Sequence, residues 1–221
     1  MTPQLSQHCF TAVSSPTLVL QWAVGYQEKI INIQTYAFEL TNASKSNGAI
    51  LYFSDFFDPL FINNQLIMDY YAHHVLDFDH FFGEPIHDCM DRPGFDRPAW
   101  IERAFSNANT HTCPWADAVV KKYGSGIKYR AVGLCFGGPQ VFKLAKEGSL
   151  IICDAIAHPA TLSDDLMEIS ECGFPMLFSC AETNHTFPKE TRRKVENRLA
   201  EHKKTYHFHI FSGESWICDQ M

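Results

Sequence analysis

Apolar and polar positions alternate through Ile30–Leu40, a stretch rich in β-branched and aromatic residues, and that period of two predicts an early strand. Gly48 introduces a continuous apolar run, Ala49–Ser54, of the kind a buried parallel strand carries on both faces. In Asn63–His73 the period changes: Leu66, Ile67, Tyr70 and Tyr71 recur at helical spacing. Val75–Phe78 is the next strand and runs into Asp79–Pro85, a turn-rich loop. Asp88–Arg97, polar and punctuated by Pro93, Gly94 and the following Pro98, reads as a surface excursion. Trp115–Tyr123 predicts a helix that ends near Gly124 and Gly126. Then come strand Tyr129–Leu134, helix Pro139–Lys146, buried strands Ile151–Ala157 and Met176–Ala181 with a short helix at Leu162–Glu171 between them, a charged surface helix at Lys189–His202, and a final strand at Tyr206–Phe211. Strand and helix alternate, so the pattern predicts an α/β fold: a mostly parallel sheet with helices on both faces.

At 221 residues the chain is long enough for one such domain and short for two, and 46% apolar content is that of a packed globule. We expect residues 1–29 to form an irregular N-terminal extension and 30–221 a single domain. The net charge of −7 gives no basic footprint, so no nucleic-acid partner is expected. Apolar stretches such as Thr17–Val24 are too short for a membrane span, and Met1–Ser15 lacks the basic start of a secretory signal. The eight cysteines are scattered with no C-x-x-C pair, which predicts neither a metal site nor a disulfide framework. Together these features lead us to expect a cytoplasmic monomer whose cysteines, Cys135 apart, are small core residues.

The chemistry is concentrated in Ala131-Val132-Gly133-Leu134-Cys135-Phe136-Gly137-Gly138, which has the G-x-nucleophile-x-G form of a nucleophile elbow with cysteine in the nucleophile position. Such an elbow is a strained strand-to-helix turn. Glycines flank it because neighbouring backbone approaches too closely for a Cβ. A helix starting behind the sulfur favours thiolate, and an ordinary thiol of pKa ~8.5 is already a few per cent ionised near neutrality.

Four stretches around this elbow, in order along the chain, carry a wider likeness: Ala49–Phe57 with Asn63–Ala72, Phe78–Pro85, Ala131–Gly138, and Ala181–Pro188 with Phe211–Gly213. Gly94–Trp100 and His158-Pro159 add to it. The chain resembles the dienelactone hydrolases, in particular their fungal members, over roughly Ile30–Gly213. That resemblance implies an α/β-hydrolase fold, a Cys-Asp-His triad, no cofactor or metal, and a small-molecule lactone or ester as substrate. By the same resemblance Cys135 is the nucleophile, and the backbone N–H groups of Phe136 and Phe56 form the oxyanion hole. Asp55 stands where relatives keep an acidic residue touching the resting thiol; as a residue in its own right it also fits a turn-capping role. Arg92, Arg97 and Arg103 are the candidates for holding an anionic substrate, and each equally fits a solvated surface charge.

Two positions depart from the pattern. Asn184 occupies the place of the triad aspartate in Ala181-Glu182-Thr183-Asn184-His185-Thr186-Phe187-Pro188, and Trp216 that of the histidine in Phe211-Ser212-Gly213-Glu214-Ser215-Trp216. Asparagine can orient an imidazole without stabilising its charge, and papain-like enzymes work with Cys-His-Asn. Indole has no basic nitrogen. His158, at the carboxyl edge of the sheet, and His185, beside Asn184, are the alternative bases, whereas His207 and His209 read as cross-strand or packing residues on the last strand. The family's C-terminal helix is also missing from the sequence. A turnover-competent lactone or ester hydrolase is therefore one expectation. A catalytically impaired homologue that binds a small molecule or partner is another, and a truncated gene product is the third.

Overall fold

The computed structural model describes residues 25–39, 48–71, 74–145, 149, 151–160 and 172–213. Its centre is an eight-stranded sheet in the order β1-β2-β4-β3-β5-β6-β7-β8, built from Tyr26–Ile30, Ile33–Glu39, His74–Phe78, Gly48–Phe53, Lys128–Leu134, Ile151–Ala157, Met176–Ala181 and Tyr206–Phe211 in that spatial sequence. β1, β2 and β4 pair antiparallel, and every pair from β4 through β3 to β8 is parallel. Parallel register brings the strand ends together. Phe53 lies opposite Gly133, Leu134 opposite Ala157, and Ala181 opposite Phe211. The loops that follow β3, β5, β6, β7 and β8 thus share one edge of the sheet, where open α/β sheets bind ligands.

Five helices complete the described chain: α1 (Ile62–Tyr71), α2 (Ile86–Cys89), α3 (Arg97–Tyr123), α4 (Gly138–Leu144) and α5 (Lys189–Glu201). Alternation along β3 separates two layers. Ala49, Leu51 and Phe53 join a core with Trp115 and Val119 of α3, Val141 and Phe142 of α4, and Val195 and Leu199 of α5. Ile50 and Tyr52 face the other way, toward Met68 of α1 and Tyr36 of β2. Helices therefore cover both faces, as the alternation of elements predicts. Burying Trp115 completely costs its indole N–H a water partner, and Thr35 Oγ1 replaces it at 3.1 Å.

Two elements differ from the sequence expectation. The expected strand at Ile30–Leu40 is the second arm of a hairpin: β1 precedes it, with Ile31 and Asn32 in the turn at φ of +46° and +64°, so the sheet begins at Tyr26. β1 carries Gln27, Glu28 and Lys29 because an edge strand buries little, and that polarity hides it. The expected helix Trp115–Tyr123 is only the last third of α3. Asp96 caps the start by accepting from the Ala99 amide at 3.1 Å, Pro98 sits in the first turn, and Pro114 lies within the helix. The surface excursion Asp88–Arg97 shortens accordingly: Asp88 and Cys89 belong to α2, whereas Asp91–Gly94 are exposed. No described helix is long and apolar enough to cross a membrane. The expected helix Leu162–Glu171, the apolar run Thr17–Val24 and everything from Glu214 onward lie outside the described residues.

Candidate active site

The chain leaves β5 at Leu134 and turns through Cys135–Gly137 in a single 3₁₀ turn before α4 begins at Gly138. Cys135 takes φ +48°, the left-handed conformation that a β-carbon disfavours, and is 4% exposed. The two glycines of the motif are sterically required. A Cβ on Gly137 would stand 2.0 Å from the Phe53 carbonyl oxygen, and one on Gly133 would stand 2.7 Å from both the Gly137 oxygen and Val141 Cγ2. The turn is thus wedged against the end of β3 on one side and the start of α4 on the other.

Phe56 follows β3 in the loop that faces this turn, and its ring meets that of Phe136 at 5.0 Å. Phe81, Trp100 and Phe105 pack around the pair and form an aromatic floor. The residues expected to carry the two oxyanion N–H groups are therefore neighbours. Asp55, partly exposed, accepts from the Phe57 amide at 3.0 Å and from Asn64 Nδ2 at 2.9 Å, so it caps this turn. Burial pushes its carboxyl upward, and those hydrogen bonds pull it back.

A chain of contacts runs from the elbow to the Asn184 loop. The Ala160 amide donates to the Cys135 carbonyl at 2.7 Å, and Gly138 lies close enough to Pro159 that a Cβ would sit 2.9 Å from it. Thr186 Oγ1 donates to the Pro159 carbonyl at 3.1 Å and shares a 2.9 Å contact with Asn184 Oδ1. Asn184 Oδ1 also accepts from the amides of Thr186 and Phe187, at 2.9 and 3.1 Å. That oxygen is committed to its own turn. Its Nδ2 is buried and has no hydrogen-bond partner among the described residues. Glu182 then accepts from Ser212 Oγ and the Gly213 amide, at 2.9 and 2.7 Å, and so ties the loop after β7 to the one after β8. These donors hold its carboxyl below the usual range.

His158 ends β6 beside the elbow, fully buried at φ +35°, with its amide donating to the Ser179 carbonyl at 2.8 Å. Desolvation lowers its imidazole to about 4, so it is neutral at physiological pH. His185 is exposed, and so are His207 and His209 on β8, where His209 stacks on Phe211. The stack of His209 on Phe211 fits the cross-strand or packing role expected on this strand. Trp216 lies outside the described residues. Arg92 is exposed and Arg103 pairs with Glu84 at 2.7 Å, a surface contact; Arg97, half-buried, opens α3. Among the described residues no three His, Cys, Asp or Glu side chains converge as metal ligands. Cys113 is exposed on α3 and Cys153 half-buried, contrary to the expectation of uniformly buried thiols.

Sequence reasoning missed one pair near the site. Asp77 and His80 are both fully buried, with His80 Nε2 3.4 Å from Asp77 Oδ1. The signal was a charged residue inside the apolar run of β4, followed three residues later by a histidine.

A strained, glycine-flanked turn after a central parallel strand, with loops from β3, β6, β7 and β8 gathered at the same edge, defines the α/β-hydrolase fold. The solved structures share that fold. A Klebsiella pneumoniae chain provisionally named a dienelactone hydrolase superposes with a TM-score of 0.75 at 13% identity, covering 90% of each chain. A dienelactone hydrolase-like promiscuous phosphotriesterase from metagenomic libraries gives 0.64 at 14% identity, over 85% of this chain and 80% of that one. Residues 107–216 match the family model of the dienelactone hydrolases, and the chain belongs to that family. Dienlactone hydrolases 1 and 2 of Gibberella moniliformis are 26% and 27% identical, over 83% and 86% of this chain and 73% and 74% of theirs. Family and fold make it a hydrolase.

Proposed function

We propose that this hydrolase opens a lactone or small ester through Cys135. The observation that carries the reading is Cys135 itself, held at φ +48° between two glycines that tolerate no Cβ, with Phe56 and Phe136 meeting beside it. The thiolate attacks the substrate carbonyl carbon. Negative charge moves to the carbonyl oxygen, where the N–H groups of Phe56 and Phe136 receive it. The intermediate collapses to a thioester on Cys135, and the leaving oxygen takes a proton from water. A lactone ring opens and its hydroxyl end stays tethered by the acyl chain, whereas an ester loses its alcohol. Water then cleaves the thioester, returning the thiol and releasing the acid.

That last step is the slow one. Deacylation needs an activated water, and His158, neutral and with an imidazole near 4, is a weak base. Asn184 Oδ1 is already occupied by two backbone amides. These two observations favour a second reading, a homologue that acylates once and turns over poorly. Incubation with a p-nitrophenyl ester separates them: continued release supports turnover, and a burst equal to the enzyme concentration supports the impaired form. Intact mass shows the acyl adduct in either case, and the same adduct on Cys135→Ala would place the chemistry on another residue.

A further inference from the structure

Burying a carboxylate and an imidazole together costs several kcal/mol unless their geometry and partners offset it, and well-packed apolar residues commonly serve stability as well. Asp77 and His80 are such a pair, and their contacts lead to the two sides of the site. Asp77 Oδ2 accepts from the Ser54 amide at 3.0 Å, at the point where β3 gives way to the loop that carries Phe56. Beside that contact, Asp77 Oδ1 faces His80. The His80 ring packs between Phe78 at 4.1 Å and Phe136 at 5.6 Å, with Phe53 at 6.0 Å. Phe53 is the residue whose carbonyl crowds Gly137. One pair of side chains outside the triad thus touches both the β3 exit and the residue after the nucleophile.

We propose that Asp77 and His80 are positioning residues for the oxyanion hole: Asp77 sets the Ser54–Phe56 backbone, and His80 braces Phe136. This rests on the acyl-transfer reading above. The amide of Ser54 is two residues from that of Phe56, so losing its acceptor lets the Phe56 N–H drift from the developing oxyanion. Neither side chain reaches substrate, because both are fully buried.

The test compares two reactions at Cys135. Acylation by p-nitrophenyl acetate passes through an oxyanion; alkylation by iodoacetamide is a direct displacement at carbon and does not. Asp77→Leu fills the site without an acceptor and is expected to slow acylation about 10²-fold, the cost of one oxyanion donor, with alkylation unchanged. Asp77→Asn keeps an oxygen for the Ser54 amide and restores acylation. His80→Ala removes the brace on Phe136 and is expected to slow acylation by roughly ten- to a hundredfold, as a ~1 Å misplacement does. It decides the matter if Asp77→Leu does not fold. Acylation at the wild-type rate in His80→Ala and any folded Asp77→Leu overturns the proposal. Equal loss of acylation and alkylation also overturns it, since the elbow itself is then disrupted. A wild-type protein that alkylates but never acylates overturns the acyl-transfer reading first, and this inference with it.

Discussion

Asp154 offers the sharpest test of how the fold and the pH range of the protein are coupled. It sits on β6 just beyond a register shift against β5, the strand that delivers Cys135, and is 4% exposed. Neither carboxylate oxygen has a hydrogen-bond partner with good geometry, and the nearby Ala131 backbone only partly offsets the burial. Desolvation raises the carboxyl to about 8. The folded state then holds a proton that the unfolded state releases near pH 4. Stability is therefore fully present below the unfolded value and is lost as pH rises through the folded one. A displacement of that size corresponds to at most about 6 kcal/mol, and relaxation of the bulged strand toward water leaves an expected loss of about 2–6 kcal/mol. Asp154→Asn is the neutral isostere. In urea unfolding, the stability of the variant relative to wild type should rise by at least ~2 kcal/mol between about pH 5 and about pH 9. The difference curve isolates Asp154 from Asp58, whose buried carboxyl also rises to about 8. Curves that stay parallel within ~0.5 kcal/mol across that range would refute the reasoning.

Three further outcomes are expected. Gly137→Ala drives a Cβ into Phe53 backbone atoms at 2.0 and 2.4 Å, so its Tm should fall by the equivalent of about 3 kcal/mol or more, whereas Gly126→Ala, with open space around it, should leave Tm unchanged. Asn184→Ala strips the acceptor from the Thr186 and Phe187 amides and should cost roughly 1–3 kcal/mol in chemical denaturation; Asn184→Asp keeps the acceptor, removes the buried Nδ2 and should be no less stable at neutral pH. Arg103→Ala breaks an exposed pair with Glu84 and should cost less than about 1 kcal/mol with ester KM unchanged; a raised KM would reveal a substrate contact.

The legibility of the chain follows burial. β3, β5, β6 and β7 are legible because each buries an apolar face in the core, although Arg130, Ile152 and Leu177 on the opposite face stay exposed, and periodicity finds such segments. β1 escaped because an edge strand tolerates Glu28 and Lys29, and the first two-thirds of α3 because Pro98 and Pro114 interrupt the helical pattern. In the structure the first occupies the helix's opening turn, where its missing N–H is harmless, and the second is carried within a helix whose buried face includes Trp100, Ala104, Ala108 and Thr112. At the site, Cys135 was legible from its glycines. The turn-capping alternative for Asp55 was legible too, and the structure displays it. The Asp77–His80 pair was not, because a polar residue beside a turn ordinarily faces solvent and only packing shows otherwise.

What the sequence determined by itself is the strained turn at Cys135 and the family. Gly133, Cys135 and Gly137 encode a backbone geometry within five residues, and local sterics suffice to read it. What the tertiary structure alone decided is the electrostatic setting of that turn. Asp154, His158 and Asp77 are ordinary titratable residues in the chain. Folding removes water from each, raising the two carboxyls and lowering the imidazole, because desolvation depends on what packs around a group and not on its neighbours in sequence.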